Sequence, residues 1–448
     1  MGFFSNLLRR EPPERVVFLG QLVLNAGLIV AGLVLLAGGS WRARLLLAMV
    51  PLVFAPFSYA RLRLHRLLAA HAGSLAMGCF AAAGLACDAV MAAQLLTARQ
   101  SEALGWLHLP GVTWIGAVWY STHALLLLAY GLKGLLRLGH RPLRRVLARR
   151  APVVNRAETM IGRRELLQKA SLAGAAIPFG VSLSGVPLSY DFRVERREIT
   201  LPHWPQALDG LKVAHLSDIH VGGAMDLDRL LRVAELTNQC RPDLVLHTGD
   251  FLTHRPGDFD RPLYEALAQI RAPHGQWACL GNHDYDNAPR FERRLRECGV
   301  MTLRNARTTL AIGGTDLEIA GLEFVFDRPD RRAVFRQVMA RWGRTGTPRL
   351  LLNHDPSTFE QLPGGCADLV LSGHTHGGHV GLQLGASHAL TVVGLAGIPD
   401  QGFFRRGDMH LYVTRCVGFY GYPIRIGIPP EIALLVLRAP RPSEEQAS

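Results

Sequence analysis

Three shortages shape what this 448-residue chain can be. The seven cysteines, Cys79, Cys87, Cys240, Cys279, Cys298, Cys366 and Cys416, never form a C-x-x-C pair. That argues against a structural zinc knot and a thioredoxin-type redox motif, and leaves the thiols as small buried hydrophobes. Carboxylates are scarce at the front: residues 1–190 hold 6 Asp and Glu against 20 Lys and Arg. The remainder lacks a basic surplus, with 29 Lys and Arg against 30 Asp and Glu. A phosphate-backbone binder needs a basic face, so no nucleic-acid partner is expected. The length exceeds one compact core, and the uneven charge divides the chain near residue 190.

What the first part has is long apolar runs. Residues 16–39 carry no charge, and 45–60 form a shorter run with Pro51 and Pro56. Residues 67–87 continue past Asp88 to Leu96, and 107–136 are interrupted only by polar singles and Lys133. A bilayer span takes about 20 apolar residues, so an all-α membrane domain of about four transmembrane helices is expected over residues 1–150. Arginines gather before the first run, between the second and third, and after the fourth, which places both ends of the bundle in the cytoplasm. Asp88 and His123 are the ionisable residues to watch within the runs; an interfacial or intra-bundle place is expected for Asp88.

Residues 151–190 form a basic linker. Arg163 and Arg164 precede an uncharged, small-residue-rich run from Ala170 to Tyr190, an arrangement like an internal twin-arginine signal and a candidate fifth span. If the run crosses the bilayer, everything after it lies outside the cytoplasm, which is the favoured reading. If it lies in the interface, the second half stays on the cytoplasmic face. Either way the expectation is an integral membrane protein of a bacterial inner membrane, in contact with membrane lipids.

After Tyr190 the texture becomes that of an α/β domain, expected over 191–440 before a polar tail at 441–448. Five apolar strand-like runs each stop at a short polar cluster. These are Asp218-Ile219-His220, Gly249-Asp250, Gly281-Asn282-His283-Asp284, His354, and Gly373-His374-Thr375-His376. Ligands collect beyond the carboxyl ends of strands in such sheets, so the five clusters should converge. Asp, Asn and neutral His make a mixed oxygen and nitrogen donor set suited to Mn, Fe, Zn or Co. Asp218, His220, Asp250, Asn282, His354, His374 and His376 are too many for one tetrahedral ion and suit two metals roughly 3.5–4 Å apart.

That order of motifs resembles the calcineurin-like metallophosphoesterase family, over about residues 190–440. The resemblance implies a four-layer αββα fold and two divalent metal ions, with Mn favoured. It implies that Asp218, His220 and His376 hold the first ion, that Asn282, His354 and His374 hold the second, and that Asp250 bridges them. His283 would protonate the leaving oxygen or stabilise transition-state charge, with Asp284 orienting it. S-G-H-T-H-G-G and the tail from Gly418 to Leu437 resemble a membrane-anchored or exported bacterial branch, which includes enzymes acting on UDP-diacylglucosamine. Glutamine usually follows H-T-H-G-G in that branch, whereas His379 stands here, near the substrate or behind the donors.

The function expected is therefore hydrolysis of a phosphodiester or pyrophosphate bond, with a lipid-linked or envelope phosphoester as the substrate class a membrane tether favours. The rival is a membrane sensor whose metal-binding domain is catalytically vestigial; the intact donor set argues for the enzyme. Other histidines read differently. His203, His254, His274, His388 and His410 are expected at the surface, and His215 and His247 near the core. The charged runs at 291–297 and 326–332 are expected on solvated helix faces.

Overall fold

The computed structural model describes residues 113–130, 176–222, 224–253, 260–326, 331–343, 346–384 and 389–441, with isolated positions before 113 and at 132 and 174. The chain divides into two compact units, Met1–Ser184 and Gly185–Ser448.

In the second unit, β1 (Arg193–Thr200), β2 (Leu211–Leu216), β3 (Leu244–His247), β4 (Gln276–Ala278), β5 (Val300–Thr302) and β14 (Glu431–Arg438) form a sheet in the order β1-β14-β2-β3-β4-β5. A second sheet runs β12-β13-β9-β8-β7-β6. It comprises β6 (Ala306–Ile312), β7 (Thr315–Gly321), β8 (Arg349–Leu352), β9 (Leu369–Ser372), β12 (Gly402–Arg406) and β13 (Met409–Val413). β10 (Gly381–Gln383) and β11 (Ala389–Thr391) make a separate antiparallel pair. The helices are α1 (Leu227–Gln239), α2 (Arg261–Leu267), α3 (Ala288–Glu297), α4 (Arg331–Trp342) and α5 (Val392–Leu395).

Strands β3, β8 and β9 are buried at every position. A strand covered on both faces reads as a continuous apolar run, and here successive residues serve different cores. Val213, Leu244, Leu246, Leu350, Leu352, Leu369 and Leu371 share one cluster, drawn from both sheets. Their neighbours Ala214, Leu216 and Val245 join Leu230, Val233, Leu263, Phe291 and Leu295 of α1, α2 and α3. Leu351 and Val370 join Phe335, Val338 and Met339 of α4. The layers are helices, sheet, sheet, helix. β2, β3 and β4 run parallel, as do β7, β8 and β9, so the ends that bear the polar clusters gather within each sheet.

The expectation of an all-α multi-span domain is not supported. Among the described residues no helix is long and apolar enough to cross a membrane. The first span, 16–39, the second, 45–60, and most of the third, with Asp88, lie outside the described residues. Within the fourth, residues 113–130 are helical, and polar side chains return to their own helix. Thr122 Oγ1 donates to the Val118 carbonyl at 2.6 Å, and His123 Nδ1 meets the Trp119 carbonyl at 2.7 Å. Residues 176–188 are also helical.

Several local expectations change in three dimensions. His410 is buried in β13, its ring stacked on Phe403 at 5.1 Å, because the sheet continues past the point where the sequence suggested a loop. Within the run at 326–332, Phe326 and Arg332 are exposed but Arg331 is buried at the start of α4, where it pairs with Asp355 at 2.8 Å; residues 327–330 lie outside the described residues. Of the seven cysteines, Cys279, Cys366 and Cys416 are buried and the others are not. His254 and His388 lie outside the described residues, His203 is exposed, and His274 is half-buried.

His215 and His247 are buried, and burial depresses them to about 3 and about 4 respectively. A histidine held neutral in the fold contributes stability that is present above its unfolded pKa and lost as pH falls toward the folded one. Each group should therefore cost about 2 kcal/mol of stability on acidification from pH 7 to pH 5. Urea unfolding followed by fluorescence should show the midpoint falling over that range, and His247→Gln should flatten the slope. An equal slope in the variant would refute the assignment.

Candidate metal centre

The polar clusters begin within three residues of their strands, and the backbone turns sharply to aim them. Asp218, His220, Asp250, His374 and His376 all have φ between 50° and 68°, a left-handed conformation that non-glycine residues adopt at a cost of about 1–3 kcal/mol each. Close packing of the loops requires glycine beside them. A Cβ on Gly249 would lie 2.1 Å from the Gly281 nitrogen, and one on Gly373 would lie 2.0 Å from Ser217 Oγ and 2.2 Å from Asp218 Oδ2.

The two sheets meet through these loops. His354 Nδ1 bonds the Thr248 carbonyl at 2.6 Å, and the His374 backbone N–H donates to Asp218 Oδ2 at 2.8 Å. The side chains converge on the two carboxylates. His376 Nε2 lies 3.3 Å from Asp218 Oδ1, His354 Nε2 lies 3.3 Å from Asp250 Oδ2, and His220 Nε2 lies 3.8 and 3.6 Å from Asp218 and Asp250. His374 Nδ1 is 3.0 Å from His354 Nε2.

A carbonyl can only accept, so the ring nitrogen facing it carries the proton. His220 Nδ1 faces the Leu252 carbonyl, His354 Nδ1 that of Thr248 and His376 Nδ1 that of Gly418. As a neutral ring each would present the Nε2 lone pair toward the carboxylates, the tautomer a metal ligand needs. Asp218 is divided in the same sense. Its Oδ2 accepts from Ser217 Oγ, from the His374 N–H and from Cys416 Sγ at 3.1 Å, while Oδ1 is buried with no hydrogen bond. His220 Nε2 and Asn282 Oδ1 are likewise buried without partners. Burial of such atoms is costly unless something polar or charged meets them, and a divalent cation does so.

The electrostatics agree. Burial works against a charge on His354, yet Asp250 and Asp218 outweigh it and lift the group to about 10. Burial would raise Asp250, but His354, His220 and His283 hold its carboxyl well below the usual range. The site demands positive charge. His220 and His376, lowered chiefly by burial, stay neutral and remain donors.

Among the described residues, three groupings could hold an ion: Asp218, His220 and Asp250; Asp250, His354 and His374; and Asp218, His376 and Cys416. Asn282 brings its unpartnered oxygen from the β4 loop. His283 is fixed at its backbone, which donates to Asp250 Oδ1 at 2.9 Å, and its ring lies 4.7 Å from that of Tyr420 and 5.3 Å from that of His220. Asp284 follows His283 in the same loop. Its carboxylate accepts from the backbone N–H groups of Asp250, Gly281 and Leu252 at 2.8, 2.9 and 3.2 Å, tying the β3 and β4 loops together. His379 lies behind His376, with ring centroids 4.7 Å apart, and its Nδ1 faces the Ile424 carbonyl; burial, then Arg425, depresses it to about 3.

Sequence reasoning missed the floor of the site. Cys416, with φ 66°, sends its thiol to Asp218. Arg425 is fully buried and donates to the carbonyls of His376, Cys416, Gly418 and Ile428. An arginine set between isoleucines at 424 and 426 was the one visible signal.

A family model described as calcineurin-like phosphoesterase matches residues 211–378, the span from β2 to the last of the histidine donors. The chain carries a calcineurin-like phosphoesterase domain. It is thereby a metal-dependent phosphoester hydrolase. Over 241 residues it is 28% identical to the metallophosphoesterase YkuE of Bacillus subtilis (strain 168), covering 52% of this chain and 82% of that one. It is 30% identical over 258 residues to a transmembrane protein with metallophosphoesterase domain of Danio rerio, covering 54% of this chain but only 56% of the relative. Over 300 residues it is 26% identical to the UDP-2,3-diacylglucosamine pyrophosphatase LpxG of Chlamydia trachomatis, covering 54% and 88%. Cys416, Tyr420 and Arg425 lie beyond the calcineurin-like match.

Metal should stabilise this phosphoesterase domain by mass action. Mn²⁺ at about a hundred times its Kd should add about 2.7 kcal/mol, read as a rise in thermal midpoint that a chelator reverses. Asp218→Asn should abolish most of that rise. A midpoint indifferent to metal would contradict the reading of the unpartnered atoms.

Proposed function

We propose that the chain is a membrane-anchored, dinuclear-metal phosphoesterase that cleaves phosphodiester or pyrophosphate bonds of lipid-linked or envelope substrates. The observation that carries the catalytic part is the set of buried atoms without hydrogen bonds at Asp218, His220 and Asn282, in a site where His220, His354 and His376 close on the carboxylates of Asp218 and Asp250. Asp218, His220 and His376 would hold one ion and Asn282, His354 and His374 the other, with Asp250 shared by both. Mn is the favoured metal for this oxygen and nitrogen set. When bound, the ions supply Lewis-acid charge and lower the pKa of water.

The chain's own residues do the rest. The carbonyls of Thr248, Leu252 and Gly418 keep three imidazoles in the donor tautomer. Ser217, the His374 N–H and Cys416 hold Asp218 so that one oxygen faces inward. His283 is half-buried, and among the described residues its ring makes no hydrogen bond, so its proton is available to the leaving oxygen. Asp284 fixes the loop from which His283 and Asn282 project.

Membrane anchoring rests on the uncharged run at 16–39 and its companions, and the extracytoplasmic side on Arg163-Arg164 before the run to Tyr190. A pyrophosphatase of a diacylglucosamine nucleotide among the relatives supports the lipid-linked class.

Manganese-loaded full-length chain should hydrolyse bis-p-nitrophenyl phosphate. Asp250→Ala or His354→Ala should abolish turnover with the fold retained by circular dichroism, and metal-independent activity in either variant would sink the proposal. His283→Ala should keep the bound metal and lower kcat by about 10²–10⁴-fold. Metal content measured beside the rate separates loss of the proton donor from loss of the ions.

A further inference from the structure

Between His376 and Asp400 the chain has no Asp, Glu, Lys or Arg. The β10–β11 hairpin and α5 occupy this stretch, and they are anchored at their base. Thr391, buried, donates to Asp400, whose backbone carbonyl accepts from Thr375 Oγ1 at 2.6 Å. Thr375 stands between the donors His374 and His376, so the hairpin grows directly from the metal loop. Its outer side is apolar: Leu382, Leu384, Leu390, Val392 and Leu395 are 50–73% exposed. Scattered exposed leucines are ordinary, but five such residues on one short uncharged excursion mark a contact surface.

The occupant follows from where the chain enters this unit. Gly185, its first residue, accepts a backbone hydrogen bond from Arg425 at 3.0 Å. The next residue, Ile426, donates to the His379 carbonyl at 3.0 Å and accepts from Gly381 at the start of β10 at 2.9 Å. The polypeptide arriving from the apolar N-terminal sequence thus meets the unit one backbone strip away from the hairpin. We infer that the hairpin and α5 dock into the lipid surface of a bilayer, seating the metal centre at headgroup level. An uncharged apolar edge beside a tether is suited to the acyl boundary, where each buried side chain adds to binding in proportion to its area. This inference rests on the membrane-anchored reading above and adds the surface that contacts the lipid.

The test uses full-length chain reconstituted into vesicles of phosphatidylcholine and phosphatidylglycerol with brominated acyl chains. The added fluorescence from Val392→Trp or Leu390→Trp should be blue-shifted and quenched by about twofold or more, whereas that from Leu231→Trp, on exposed α1, should not. Water-like, unquenched emission from both hairpin variants would overturn the docking inference, as would concentration-dependent self-association abolished by Leu390→Asp, which would assign the surface to a second copy. Hydrolysis of bis-p-nitrophenyl phosphate, measured in the same vesicles, keeps the two readings apart. Activity without quenching refutes only the docking, and quenching without activity in the wild type refutes only the hydrolase reading.

Discussion

Two carboxylates buried side by side are the constraint on which the structure turns. Asp218 and Asp250 sit at the ends of neighbouring strands of one sheet, and nothing apolar could hold them there. The imidazoles from the second sheet answer that charge in part, and Asp250 and Asp218 drive His354 toward its protonated form against the cost of burial.

The scaffold bears the consequences. Left-handed turns at five donors and glycines pressed against neighbouring backbone are tolerated because three apolar cores hold the strands behind them. The buried Arg425 plays a related part. It has carbonyls for partners, and burial depresses it to about 10, so it spends its hydrogen bonds on fixing the loops that carry His376 and Cys416. The loops that carry His376 and Cys416 are thus braced from below by Arg425.

How much of this could be read from sequence depended on distance along the chain. The strand-end clusters were legible because an apolar run that halts at Asp, His or Asn is a local pattern, and the structure brings those clusters together. The hydrogen bonds of the Asp284 carboxylate were not, since they come from three backbone N–H groups in two loops. Nor were Cys416 and Arg425, which reach the site after a turn that no periodicity records. His410 and Arg331 misled for a similar reason: β13 and the start of α4 bury polar side chains among partners remote in sequence, and composition alone reads such residues as solvated.

The β10–β11 pair belongs to neither six-stranded sheet. Its register is set only within itself and by short ties to Thr375 and to the strip at Ile426, so its length and chemistry can change without shifting a strand in either sheet. A descendant could keep the strand-end clusters unchanged and acquire a new surface by rewriting the stretch between His376 and β12.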